Sequence, residues 1–349
     1  MGMIKLPDDS REFFLAHVDE IFESGNLAEG NWTDRLNNKI KDYTGSAFCC
    51  TTNSNGAGLV ALMSLGRQFH DRDIIYIQSN TMYGVKAMIS AAGCELGGFI
   101  NCRVETLMPS LEDVKRVIAK IQNKKKVIIL LSHLGGIINP DIPEIAKLCK
   151  DNDVMLLEDC AHSFGATLNG KHSGLFGDAG AYSFYATKAI PAGEGGAVVT
   201  NDEVLGHQIQ RFSVYDRFEQ ELDIGNNIRV PEVQALLIYS VVNQVEEIIE
   251  NKQNIASVYK VACEDLGISF IDQDINGHRG NYYKFVVYSG SGRIGDILWN
   301  MQTLTSPIYD YSIGVHNDLA DKHYCLPIWY RQSSNVARSV ITELRSCFR

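Results

Sequence analysis

The chain has 349 residues, 45% of them hydrophobic, enough to bury a large core as one large unit with a smaller one or as two medium ones. A formal net charge of -10 argues against a nucleic-acid partner, because phosphate binding needs clustered Lys and Arg. Nine scattered cysteines, an odd count with no C-x-x-C pair, argue against a disulfide framework and read as reduced core thiols of a cytoplasmic protein.

In chain order, the first element is an amphipathic helix. Asp9 or Ser10 can cap it, and Phe14, Val18, Ile21 and Phe22 follow helical spacing. TDRLNNKIKDYTG is a second helix, stopped by Gly45. Strands and helices then alternate. AFCCTT, DIIYIQS and KVIILLSH are strands, followed in turn by the helices NSNGAGLVALMSLG, TMYGVKAMISAAG and IPEIAKLCKDN. Lys124-Lys125-Lys126 reads as a polar turn before a buried strand. VMLLEDC, AGAYSFYAT and GAVVTND are further strands. This alternation predicts βαβ units, and so an α/β fold with a mainly parallel sheet flanked by helices.

From about residue 235 the texture changes. VVNQVEEIIENKQNIASVYKVACEDLG reads as one long helix, YYKFVVYSG as a strand and SSNVARSVITELRS as a closing helix. A large domain over 1–244 and a smaller α+β domain over 245–349 are expected, with the N-terminal helix free to pack on the smaller one. No charged-then-apolar leader and no apolar run near 18 residues occurs, which predicts a soluble, unexported protein. His323 and Cys325 lack a second ligand pair at metal spacing, so no metal site is expected.

One lysine is out of character. Lys188, in SFYATKAIPAGEGG, has apolar neighbours and no opposite charge until Glu194. In open parallel sheets ligands bind beyond the carboxyl ends of the strands, so the polar residues there are the candidates. Asp159 and His162 follow VMLLE; the carboxylate could pair with a cationic ring nitrogen or could cap the next turn. Ser183 ends a strand, where its hydroxyl could donate to a phosphate. The turn TTNSNGAG, holding Ser54 and Asn55, precedes a helix whose N-terminus suits an anion. Tyr83 could stack on an aromatic ring or be a core residue. Together these features ask for a phosphate, a ring with a basic nitrogen and an aldehyde for the lysine amine. Pyridoxal phosphate fits all three. Desolvation would make the amine nucleophilic.

EDCAHSFGA, GLFGDAGAYSFYATKAIPAGEGGAVVTND and GNNIRVPEVQAL, in this order and at these intervals, resemble the DegT/DnrJ/EryC1/StrS family of sugar aminotransferases, of the aspartate-aminotransferase fold type. The resemblance runs from about 25 to 245, is strongest over 156–202, and fades in the last hundred residues. It implies a large cofactor-binding domain with a smaller α+β domain and a role for each candidate. Lys188 would bond covalently to the cofactor aldehyde and then shuttle a proton. Asp159 would keep the pyridine nitrogen protonated, and His162 would lie near the ring oxygen O3′. Ser183 and the backbone of Ser54 and Asn55 would bind the phosphate, and Tyr83 would stack on the ring. Asn227, in G-x-N-x-R, would reach the cofactor of a neighbouring subunit, which implies a homodimer with shared sites.

The chain departs from the family in its first turn, Asn53-Ser54-Asn55-Gly56, where S-G-T or N-G-T is usual. His133-Leu134-Gly135-Gly136 approximates the family's His-Leu-x-Gly, and TSPIYDYSIG (305–314) is loosely similar to its sugar-facing segment. The activity implied is transfer of an amino group from a donor, with glutamate expected, to a keto sugar, with a nucleotide-linked one expected. Alternatives are a keto cyclitol or other ketone as acceptor, a dehydration, or a non-catalytic binding protein on the same fold. Lys188 argues against the dehydratases, in which histidine replaces it, and Lys188 with Asp159 argues against a silent protein.

Overall fold

A computed structural model describes residues 4–289, 307–309 and 319–348. Its strands are β1 (Phe48–Thr52), β2 (Ile74–Gln78), β3 (Glu95–Ile100), β4 (Val127–Ser132), β5 (Met155–Cys160), β6 (Thr167–Leu168), β7 (Lys171–His172), β8 (Ala179–Ser183), β9 (Gly196–Thr200), β10 (Ser269–Phe270), β11 (His278–Arg279), β12 (Phe285–Tyr288) and β13 (His323–Leu326). Its helices are α1 (Asp8–Ser24), α2 (Asn31–Thr44), α3 (Asn55–His70), α4 (Gly84–Ala91), α5 (Leu111–Ile118), α6 (Ile142–Asp151), α7 (Glu203–Ser213), α8 (Glu232–Val242), α9 (Val245–Leu266) and α10 (Ser334–Phe348).

The central sheet has seven strands in the order β1-β9-β8-β5-β4-β2-β3. Its ladders are parallel except at β9, which runs antiparallel to both β1 and β8. The continuous apolar run of β4 follows from burial on two faces. Ile128 and Leu130 pack with Leu59, Leu62, Ile89 and Ile209 of α3, α4 and α7. Val127, Ile129 and Leu131 pack on the opposite face with Val114, Ile142 and Ile145 of α5 and α6. Farther along the sheet, Trp32, Leu36 and Ile40 of α2 join Leu236, Ile238 and Val241 of α8 in one core.

Several local expectations are corrected. Helix α1 begins at Asp8 with Pro7 as its cap residue, not at Asp9 or Ser10. The Ser10 hydroxyl instead donates to the Ser240 carbonyl at 3.0 Å and fastens α1 to α8. At the same end, α1 meets the C-terminal part through an ion pair between Asp8 and Arg331 at 2.7 Å. The long helix is present as α9, 22 residues, but it starts at Val245; Val241 and Val242 belong to α8, because Gln244 leaves the helical conformation (φ -107°, ψ 15°) between the two. Strand β8 stops at Ser183, since Phe184 and Ala186 bond back to Gly195 and Gly193 across a loop. Strand β3 and helix α5 are elements that the pattern did not reveal.

Beyond α8 a second, antiparallel sheet runs β10-β12-β13. Ala256 and Tyr259 of α9 and Val340 and Leu344 of α10 cover it with Phe285 and Leu326 in a separate core. Strand β11 instead pairs with β6 in a third small sheet, β11-β6-β7, tying this segment to the chain that follows β5. No helix among the described residues is long and apolar enough to cross a membrane.

Candidate active site

Strand β5 ends in Glu158 and Asp159, whose side chains leave on opposite faces. Glu158 is fully satisfied. It accepts the N–H groups of Gly174, Phe176 and Gly177 at 2.7–2.8 Å and meets His133 Nε2 at 2.7 Å. His133 Nδ1 in turn accepts the Asn139 N–H at 3.0 Å, so this buried pair braces the loops around it.

Asp159 is 5% exposed. Its Oδ1 accepts from Asn55 Nδ2 and from the Ala161 N–H, both at 3.1 Å, and its Oδ2 accepts from Ser132 Oγ at 3.1 Å. Thr81 Oγ1 lies 3.1 Å from the same Ser132 hydroxyl. The turn-capping role is therefore real, and it leaves room for a second one. Every donor to Asp159 is neutral, and no cation pairs with it among the described residues. Three hydrogen bonds hold the carboxylate in place and keep its charge available.

Asn55 and Ser54 sit at the start of α3. Ser54 Oγ accepts the Ala57 N–H at 3.1 Å, so its side chain is spent on the cap and only backbone remains for an anion. Asn55 is a strut between strands, since its Nδ2 also donates to the Ala181 carbonyl at 2.7 Å. Gly196 packs under this turn so closely that a Cβ there would lie 2.6 Å from the Asn55 nitrogen. Ser183 pairs across to Gly196 in the ladder and is 6% exposed; its Oγ accepts the Tyr185 N–H at 3.3 Å.

Lys188 lies on the loop between β8 and β9. Gly193 (φ 91°) and Gly195 (φ 146°) let that loop fold back, and Gln234 Nε2 clamps it through the Ala192 carbonyl at 2.6 Å. The lysine Nζ sits 5.4 Å from the centre of the Tyr283 ring, and Lys284 Nζ sits 5.0 Å from the same ring. The His162 ring packs tilted against that ring at 4.4 Å and lies parallel-stacked with Tyr309 at 5.9 Å. Burial, then the charges of Lys188 and Lys284, hold the His162 imidazolium pKa well below its usual value, so the ring is neutral. Its Nδ1 is buried with no hydrogen-bond partner among the described residues.

Tyr83 and Asn227 are peripheral. Tyr83 is 62% exposed just ahead of α4, so the core alternative does not hold. Asn227 is exposed; its Oδ1 accepts from Arg229 Nε at 3.0 Å, and its carbonyl accepts from Asn53 Nδ2 of the same chain at 3.4 Å. Of the segment 305–314, only 307–309 lie within the described residues.

The family model for DegT/DnrJ/EryC1/StrS aminotransferases matches residues 8–294. The chain belongs to this family. It is 31% identical to the GDP-perosamine synthase of Escherichia coli O157:H7 over 70% of its own length and 66% of that protein's. It is 29% identical to the dTDP-3-amino-3,4,6-trideoxy-alpha-D-glucose transaminase of Micromonospora megalomicea subsp. nigra, over 80% of this chain and 74% of that one. The solved structure of the aminotransferase TlmJ from Streptoalloteichus hindustanus superposes with a TM-score of 0.83 at 23% identity, covering 99% and 98% of the two chains.

Within this DegT/DnrJ/EryC1/StrS fold, sequence reasoning missed the residues that lie against His162 and Lys188. Tyr283 and Lys284 arrive from the second sheet, about a hundred residues after Lys188. The segment docks on the end of β4: the Lys284 N–H donates to the Gly135 carbonyl at 2.9 Å and the Asn281 N–H to the Gly136 carbonyl at 3.0 Å. Asn281 Nδ2 also holds the His162 and Phe164 carbonyls, each at 2.9 Å. No local spacing in YYKFVVYSG signals that placement. Ser132 and Thr81 were missed as well, although each lies just beyond or at the end of a predicted strand.

Proposed function

We propose that this chain is a pyridoxal phosphate-dependent aminotransferase that moves an amino group from glutamate to the ketone of a nucleotide-linked sugar. The meeting of Lys188 with His162, a buried imidazole with an open Nδ1, carries this reading. When bound, the cofactor supplies an aldehyde for an amine and a ring that accepts electrons.

The residues fit such a group. Lys188 has no carboxylate partner among the described residues, and its amine would bond the aldehyde and take and return the proton of the substrate carbon. Asp159 carries an uncompensated charge for the ring nitrogen. His162 Nδ1 lacks the partner that a ring oxygen would provide. Ser183 and the start of α3 offer a hydroxyl and N–H groups to a phosphate. Tyr83, 62% exposed, would cover the ring.

The names of the E. coli and Micromonospora relatives support a nucleotide-linked amino sugar as product. A homodimer in the cytoplasm, with Asn227 serving the partner's site, belongs to the same reading. So does the division into 1–244 and 245–349, supported by the separate core around Tyr259 and Phe285.

Adding glutamate to the cofactor-loaded protein tests the transfer. The bound cofactor's absorption band should disappear and 2-oxoglutarate should be released. A band unchanged by glutamate and by other common amino acids would refute it. Borohydride should fix cofactor to the wild type and not to Lys188→Ala. Nucleotide-linked 3-keto and 4-keto sugars, offered with glutamate and followed by mass spectrometry, identify the acceptor; water loss without amine gain would point to a dehydratase instead.

A further inference from the structure

Helix α9 carries an anomaly the reaction has not used. Ile248, Ile249, Ala256 and Tyr259 form its buried face, and Lys252 stands among them, 4% exposed. Lysine is almost never fully buried unless paired. Lys252 has no hydrogen bond or ion pair among the described residues. Among the described residues, the charge acting on it is that of Lys284, itself a cation. Burial and that repulsion lower its pKa from 10.5 to about 7.

Lys284 extends the anomaly to the active site. It has no carboxylate partner among the described residues either, and it shares the Tyr283 ring with Lys188. In a chain of net charge -10, Lys188 and Lys284 thus share one wall, the Tyr283 ring, Lys252 is buried near enough to feel the charge of Lys284, and no carboxylate pairs with any of the three among the described residues. If that wall needed only packing, an apolar side chain at 252 would be more stable. The arrangement is what a site for a small anion requires: positive charge, partly desolvated, held by a helix and a docked segment.

We propose that Lys284, backed by Lys252, holds a carboxylate of the amino donor beside Lys188. This inference rests on the aminotransferase reading. A carboxylate is favoured over the diphosphate of a nucleotide sugar on reach. The α-carboxylate is attached to the carbon that bears the amine, within about 3 Å of the reacting nitrogen. A diphosphate is separated from the ketone by the sugar itself. The Lys188 and Lys284 amines lie 5.4 and 5.0 Å from the centre of one ring, which favours an anion borne close to the reacting carbon.

The test uses the cofactor-loaded protein and two probes. Maleate, a dicarboxylate with no amine to give, is titrated by calorimetry into wild type, Lys284→Met, Lys284→Arg and Lys252→Met. The two Met variants should each weaken binding by about tenfold or more, and Lys284→Arg should restore most of it. In steady-state assays the KM for glutamate should rise by a similar factor in the Met variants, with the KM for the keto sugar unchanged. Equal maleate binding in all four proteins overturns the proposal. So does a rise confined to the keto-sugar KM, which would assign the lysines to the diphosphate. If wild type releases no 2-oxoglutarate from glutamate, the aminotransferase reading fails, and the maleate titration still decides whether the pair binds a carboxylate.

Discussion

Lys252 should be a stability defect whose size depends on pH, and replacing it with Met isolates the effect. In the folded chain the amine protonates with a pKa of about 7, against 10.5 for an unhindered lysine. At about 1.4 kcal/mol per pH unit, holding the proton below pH 7 weakens the fold by at most roughly 5 kcal/mol. Between pH 7 and 10.5 the unfolded chain binds the extra proton and the folded chain does not, so this contribution makes stability rise with pH across that window. Methionine has similar length and no charge. Lys252→Met should therefore be more stable than wild type at pH 6 by several kcal/mol at most, and the gap should narrow toward pH 10. Urea unfolding of both proteins at pH 6, 7.5 and 9, at matched concentration, measures it. A variant less stable than wild type at pH 6, or a gap independent of pH, refutes the reasoning.

Two further substitutions probe the frame of the site. Gly196→Ala puts a methyl 2.6 Å from the Asn55 nitrogen and the Ser54 carbonyl carbon, backbone atoms that cannot swing aside. It should weaken pyridoxal phosphate binding by about tenfold or more, read from the cofactor band on titration, because the displaced turn is the phosphate end of the site. Glu232→Ala removes the acceptor of the Trp32 and Thr33 N–H groups, at 2.8 and 2.9 Å, at the start of α2. Leaving those donors unpaired should lower stability by about 1–3 kcal/mol, seen as a drop in thermal midpoint, with the KM for glutamate unchanged.

What the sequence made legible depends on whether each signal is local. The runs VIILLS and MLLEDC read as strands because both faces of those strands are buried, leaving no polar interruption. Strand β3, ELGGFI, hid behind Gly97 and Gly98, which lie against the Tyr76 ring and have no side chains to show a pattern. The α8–α9 break was invisible because no Pro or Gly marks Asn243-Gln244 and apolar residues continue on both sides. At the site, Asp159, His162, Ser183 and Lys188 follow the carboxyl ends of recognisable strands, so a rule about where ligands bind could find them. Tyr283 and Lys284 obey no such rule. Their place is decided by hydrogen bonds to Gly135 and Gly136, a tertiary contact with no trace in neighbouring residues.

The reversed direction of β9 has a consequence for how such a site can vary. Chain leaves the sheet at Ser183 and re-enters at its ladder partner Gly196, so departure and return share one rim. Residues 184–195 are an excursion that closes on itself. Adding or removing a residue within it would leave every strand of the sheet in register, because both ends stay paired, yet would carry Lys188 away from His162 and Tyr283. The same loop places Phe184, Ile190 and Ala192 in the core, so its length is held by packing as well as by chemistry. A loop-length variant should therefore keep its sheet, lose some stability and lose amine transfer altogether.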